Sequence, residues 1–288
     1  MGGAGHVTDM ACAQNIAKLL SHIAACHTAT LPGARLPFFV GARQVGFLEP
    51  DFARRLAGAT PEIVADRRRV VLAPAAAGRL NEIAAQAGIA ARGEDFDVRE
   101  SPESEVLAVL DRGALPAFGV IGVGAHLNGL VERADGLHLW VGKRAADKKL
   151  DPGKLDHLVA GGVPAGLTPA ETLVKEAAEE AGLPEALAAQ ARQVGRFAYN
   201  MERAEGLRRD VIFAFDLVLP EHFAPVPVDG EVECFELWPI ERAYAEVAGT
   251  QNFKFNVNLV LIDLFIRRGL IIGDDAMTLR RALQGDLP

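Results

Sequence analysis

Three glutamates, Glu176, Glu179 and Glu180, stand close together in the segment 176–180. They are related by i+3 and i+4, so any helix that carries them presents all three on one face. Carboxylates at that spacing repel one another. Within four residues of them the only basic side chain is Lys175, four before Glu179, and one lysine does not neutralise three carboxylates. A solvated helix face accounts for most glutamate groups of this kind. Here, however, a glycine pair, Gly161 and Gly162, precedes the segment and offers accessible backbone beside the carboxylates. Crowded oxygen ligands with room left for phosphates suit a hard divalent cation, Mg2+ or Mn2+. Such an ion neutralises phosphate oxygens and lowers the pKa of a bound water.

The segment has its own helix signals. Thr168 is placed to cap, Pro169 suits the first helical position, and Glu171, three after the cap, completes a capping box. Gly182 fits the left-handed position after the last turn, and Pro184 prevents continuation. A helix over about 169–181 is expected. Its small apolar residues Val174, Ala177, Ala178 and Ala181 form a stripe suited to close packing on a sheet. Glu171 is assigned to the cap rather than to chemistry.

Other residues are candidates by type and position. Lys143, Arg144, Lys148, Lys149 and Lys154 crowd together against only Asp147 and Asp151, just before the glycine pair. A solvated hairpin explains any single one. As a group they make a candidate diphosphate clamp, because opposed charge holds a polyanion. His157 lies four residues before Gly161 and within reach of a substrate there, although a hydrogen-bonded structural histidine fits equally well. Glu231, Glu233 and Glu236 are candidates for a general base or an additional metal ligand. Alternation along a strand puts Glu231 and Glu233 on one face and Glu236 on the other, and does not choose among them. Trp140, Trp238, Phe197 and Tyr199 could stack on a heteroaromatic ring, with core packing as the default.

The rest of the chain must position these residues. Its 288 residues carry a formal net charge of −8, and half are hydrophobic. That composition is globular, long enough for about two domains, and opposes a nucleic-acid backbone as the main partner. Three widely spaced cysteines, Cys12, Cys26 and Cys234, argue against a disulfide framework or a zinc site and for a reducing compartment. The first residues lack a basic stretch followed by an apolar one, and no apolar run reaches the ~18 residues of a membrane span. A cytosolic enzyme or binding protein is the expectation. Residues 1–115 read as a small α/β or α+β unit. It comprises helices at 9–27, 51–57, 75–87 and 102–110 and strands near 38–40, 45–48 and 70–72. From 116 to 288 strands dominate, at 119–123, 137–141, 192–199, 210–219 and 232–238, interrupted by the acidic helix. They are closed by an amphipathic helix at 257–268 and a short one at 275–283.

The acidic segment resembles the Nudix signature, G-x5-E-x7-R-E-U-x-E-E-x-G-U. Gly161, Glu176, Glu179, Glu180, Gly182 and Leu183 match it, and Ala177 stands at the aliphatic position. Leu167 occupies the place of the first glutamate and Lys175 that of the arginine, the pair that braces the loop against the helix. Longer stretches (135–183, 213–240 and 253–269) are similar to one branch of the Nudix hydrolases, found alone or fused to thiamine pyrophosphokinase and carrying its own N-terminal domain. The resemblance implies a Nudix α/β/α sandwich at 116–288 behind an accessory domain at 1–115, with Mg2+ or Mn2+ on Glu176, Glu179 and Glu180. It further implies a small-molecule diphosphate as substrate: thiamine diphosphate, or its oxy and oxo analogues, cleaved to the monophosphate. Two alternatives stay open. One is hydrolysis of a nucleoside diphosphate derivative; the other is a module that binds a phosphate ligand without cleaving it. Oligomeric state is not legible in the sequence.

Overall fold

The computed structural model describes residues 4–284, with side chains from residue 14 onward; the side chain of Cys12 lies outside the described residues. A first helix, α1 (Ala4–Cys26), leads into a four-stranded sheet. That sheet contains β1 (Leu36–Val40), β2 (Arg43–Leu48), β3 (Ile63–Ala65) and β4 (Val70–Leu72), in the order β2-β1-β4-β3, with β1 and β4 parallel. Helix α2 (Pro50–Ala59) and helix α3 (Leu80–Gln86), the latter entered through a 3-10 turn at Pro74–Arg79, cover it. Phe38, Leu48, Leu56, Leu72, Leu80, Ile83 and Phe118 are fully buried in the shared core. A two-stranded ladder, β5 (Asp95–Val98) with β6 (Ala108–Asp111), and a single turn, α4 (Leu115–Phe118), complete this unit.

The helix expected at 102–110 is not formed. The Ser104 hydroxyl donates to the Ser101 carbonyl at 2.9 Å and accepts from the Ser101 N–H at 3.0 Å, closing a turn. Residues 108–111 are thereby delivered to strand pairing with 95–98. A local side chain to backbone bond has outcompeted the helical periodicity.

The second layered unit is built on a larger mixed sheet. Its strands are β7 (Ile121–Arg133), β8 (Gly136–Arg144), β9 (Leu155–Asp156), β10 (Val159–Gly162), β11 (Arg192–Arg203), β12 (Gly206–Val218) and β13 (Val232–Pro239). The main path runs β11-β12-β7-β8-β13, with β12 and β7 parallel. Strand β7 is shared end to end: its residues 124–127 pair with β10, and 130–133 pair with β8. The glycine pair is therefore part of a strand, Gly161 opposite Ala125 and Gly162 opposite Gly124, and not of a loop.

One face of this sheet is covered by α5 (Pro169–Ala181) and the short α6 (Glu185–Ala188). There Ala125, Leu127, Phe215 and Leu217 pack on Leu173, Ala177 and Ala181. The opposite face carries α7 (Ile240–Gly249), α8 (Val257–Arg267) and α9 (Gly273–Leu283). Helix α8 lies between the sheet and other helices, so every residue of it but Asp263 and Arg267 is buried, the polar Asn258 included. This is an α/β/α sandwich. Helix α1 crosses the division expected at residue 115: Leu19, Ile23 and Cys26 pack into the cluster of α7, α8 and α9 and not into the N-terminal core. Among the described residues no helix is long and apolar enough to cross a membrane.

Candidate active site

Helix α5 forms as its ends dictate. Thr168 Oγ1 accepts from the Glu171 N–H at 3.2 Å, and the Glu171 carboxylate accepts from the Thr168 N–H at 2.8 Å, a reciprocal capping box. Gly182 closes the other end with φ of 61°. The buried stripe is Leu173, Ala177 and Ala181; Ala178, expected in it, faces solvent.

The three glutamates do not share one environment. Glu180 is buried, 6% exposed, and its Oε2 accepts from the Ala160 N–H on β10 at 3.1 Å. Glu176 is one turn earlier, its side chain 18% exposed. It lies directly on Gly161, where a Cβ would come within 2.7 Å of the Glu176 Cγ and Cδ. The bare backbone at 161 is thus required by the carboxylate that covers it. Glu179 is half exposed and pairs with Lys175 at 3.2 Å. Gly162 meets a different need: a Cβ there would sit 2.6 Å from the Phe96 ring, which reaches over from the N-terminal unit.

Burial, only partly offset by the Ala160 N–H and reinforced by the charges of Asp156, Glu176 and Glu231, pushes the Glu180 carboxyl up to about 8. Burial also raises that of Glu176, with Lys175 opposing and Glu179, Glu231 and Glu94 adding to it. Two buried carboxylates with excess negative charge around them fit a divalent cation. Among the described residues no group of three His, Cys, Asp or Glu side chains is arranged to hold a metal. The fit is to an ion held by one or two carboxylates, with phosphate and water completing its shell, as Mg2+ prefers. Glu176 and Glu180 are the desolvated residues that would hold it; Glu179, half exposed, pairs with Lys175.

The second group of glutamates separates as well. Strand β13 has a bulge between Val232 and Cys234, which breaks the expected alternation. Glu233 pairs with Lys143 at 2.6 Å, and Glu236 accepts from the Trp238 indole at 2.8 Å and pairs with Arg242. Glu231 pairs with Lys148 and is the member of this group that acts on both Glu176 and Glu180.

Most of the basic stretch is spent locally. Arg144 is buried, bonding Asp156 at 2.7 Å and the carbonyls of Leu150 and Asp151. It lines the cleft described below, with three of its donors taken by these bonds. Lys154 donates to the Gln251 carbonyl. Lys149 is exposed and, among the described residues, makes no ion pair. His157 is fully buried, its Nδ1 3.1 Å from that of His126, and burial pushes it down to about 4. It is a neutral core residue and does not reach substrate. Trp238, Phe197 and Tyr199 are likewise core, and Trp140 is packed against the α5 side of the sheet.

Sequence reading missed Lys254. It is buried at 3.4 Å from Asp156 and lines a cleft of about 440 Å³ with Ala160, Glu231, Lys148 and Lys149. Arg92, Glu94 and Arg112 of the N-terminal unit line it too. No local pattern marks any of these four.

Residues 126–257 match the family model described as the NUDIX domain. That stretch is therefore similar to a Nudix domain, and the sandwich built on it is consistent with the α/β Nudix fold. Over 180 residues it is 45% identical to Nudix hydrolase 20, chloroplastic, of Arabidopsis thaliana, covering 62% of this chain and 48% of that one. Nudix hydrolase 24, chloroplastic, of the same plant is 44% identical over 180 residues, with 62% and 49% covered. The chain spans about half the length of the curated relatives it matches. Among solved structures it is similar to DR0079 from Deinococcus radiodurans, with 22% identity, a TM-score of 0.44, and 66% and 99% covered. The expectation of a cytosolic protein is corrected by the two plant relatives, both designated chloroplastic. A low cysteine count reports a reducing environment without saying which reducing compartment it is.

Proposed function

We propose that this chain is a divalent-metal-dependent hydrolase of a small-molecule diphosphate. The observation that carries the reading is the placement of Glu176 and Glu180, two desolvated carboxylates resting on the Gly161 and Ala160 backbone. The same Ala160 backbone lines a cleft whose other walls bear cations. Bound Mg2+ or Mn2+ supplies neutralisation of phosphate oxygens and a water of lowered pKa. Glu176 and Glu180 would hold such an ion, Glu180 being fixed by its bond to Ala160. Glu231, within electrostatic reach of both, would be the base that accepts the proton from the attacking water. Lys149 and the cations facing it orient the phosphates.

Within diphosphates, thiamine diphosphate or its oxidised analogues, cleaved to the monophosphate and phosphate, is the substrate that the sequence resemblance implies. Nucleoside diphosphate derivatives are the comparison set. Phosphate release across such a panel, with and without Mg2+, tests the reading. Metal-dependent release from at least one member is expected. A thermal shift with ligand and no release from any member would make the domain a binding module and overturn the proposal.

A further inference from the structure

The N-terminal unit carries a pair of loops that reach the cleft. Residues 92–94 precede β5 and residues 112–113 follow β6. The Asp111 carboxylate bolts them together, accepting from the N–H groups of Arg92 at 2.8 Å, Gly93 at 2.8 Å, Glu94 at 3.3 Å and Gly113 at 2.7 Å. Burial opposes its ionisation, but these four donors outweigh burial and hold the Asp111 carboxyl below its ordinary range. At Gly113 a Cβ would come within 2.6 Å of the Ala90 carbonyl oxygen, so the loops close only over a bare backbone.

The result is two arginines held side by side. Arg92 and Arg112 both line the 440 Å³ cleft and an adjoining cavity of about 200 Å³, and Lys149 and Leu150 line both as well. Arg112 uses one guanidinium nitrogen on Glu94 at 2.7 Å. A guanidinium carries five donors, so others remain. Arg92 makes no ion pair among the described residues. Glu94 in turn acts electrostatically on Glu176. The arginine pair therefore lines the same cleft as Glu231 and the Ala160 backbone, whose N–H is bonded to the Glu180 carboxylate.

We propose that Arg92 and Arg112, together with Lys149, form the phosphate clamp of this site, so that the N-terminal unit is an obligatory wall of substrate binding. The ligand group is a phosphate of the diphosphate, recognised by planar guanidinium donors. Asp111 is a positioning residue acting through the two loops. The inference rests on the diphosphate-hydrolase reading for its substrate, but the clamp has its own binding test.

The test uses the full chain, titrated calorimetrically with inorganic diphosphate in Mg2+ and assayed on the diphosphate panel. In the double variant Arg92→Ala with Arg112→Ala, the Kd for inorganic diphosphate and the KM should rise on the order of 10- to 100-fold. The turnover number and Tm should change little, since both side chains are exposed. Lysine at both positions should recover part of the loss. Asp111→Asn should raise KM in the same direction and add little on top of the double variant, which a merely structural defect would not reproduce. Unchanged Kd and KM in the double variant, or an effect on turnover alone, would overturn the clamp. Arginine-dependent binding without hydrolysis of any panel member would leave the clamp standing and remove the hydrolase reading. No binding of inorganic diphosphate by the unaltered chain would overturn the clamp directly.

Discussion

Two basic regions border the same cleft and differ in what their charge is worth. The stretch 143–154 is dense in Lys and Arg and conspicuous in the sequence, while Arg92 and Arg112 are isolated and twenty residues apart. In the folded chain the dense stretch is mostly engaged: Lys143 with Glu233, Arg144 with Asp156 and Lys148 with Glu231 as ion pairs, and Lys154 with a carbonyl. The sparse pair lies on loops tied together by Asp111 and lines the cleft. Charge density along a chain thus says little about charge available to a ligand, because each neighbouring carboxylate cancels one cation.

That contrast is open to direct attack. The largest effect expected is on stability. Arg144→Ala leaves the buried Asp156 with Lys254 alone, and chemical denaturation should show a loss of about 3 kcal/mol or more. An unaffected stability would mean that Arg144 is not the spent charge described here. Glu180→Gln keeps an acceptor for the Ala160 N–H but removes a metal-holding charge. Turnover should fall at least about 100-fold while Tm holds, and near-normal turnover would end the metal assignment.

A finer test lies within the dense stretch itself. Lys149→Ala should raise KM several-fold, whereas Lys143→Ala, which breaks only an exposed pair with Glu233, should change it less than about twofold. Equal effects of the two would erase the distinction between spent and available charge. A last test concerns pH. His157 is held neutral when folded, with its pKa pushed by burial from 6.5 to about 4. Between those values the unfolded chain binds more protons than the folded one, so stability is full above about pH 6.5 and declines as pH falls toward 4. Thermal melts across that window should show Tm dropping with acidity, and the slope should shrink in His157→Gln.

Legibility followed the range of the interactions involved. Helix α5 and its two ends were readable because a capping box, an N1 proline and a terminal glycine act within a few residues. The carboxylate ridge was readable from i+3 and i+4 spacing. Its division into a buried Glu180, a Gly161-bound Glu176 and an exposed Glu179 was not, because that depends on where β10 lies. Glu231, Glu233 and Glu236 were indistinguishable until the bulge in β13 was seen. The helix expected at 102–110 failed because two serines closed a turn that periodicity does not register.

The sequence by itself determined the acidic helix, the alternation of strands and helices that makes an α/β sandwich, and the pool of cations and carboxylates from which a site could be drawn. Only the tertiary structure decided which of those charges cancel, which are desolvated, and that the N-terminal unit supplies a wall of the cleft. The reason is physical: propensity and capping are set by neighbours along the chain, whereas burial and ion pairing are set by neighbours in space, and Asp111 and Asp156 gather theirs from distant segments.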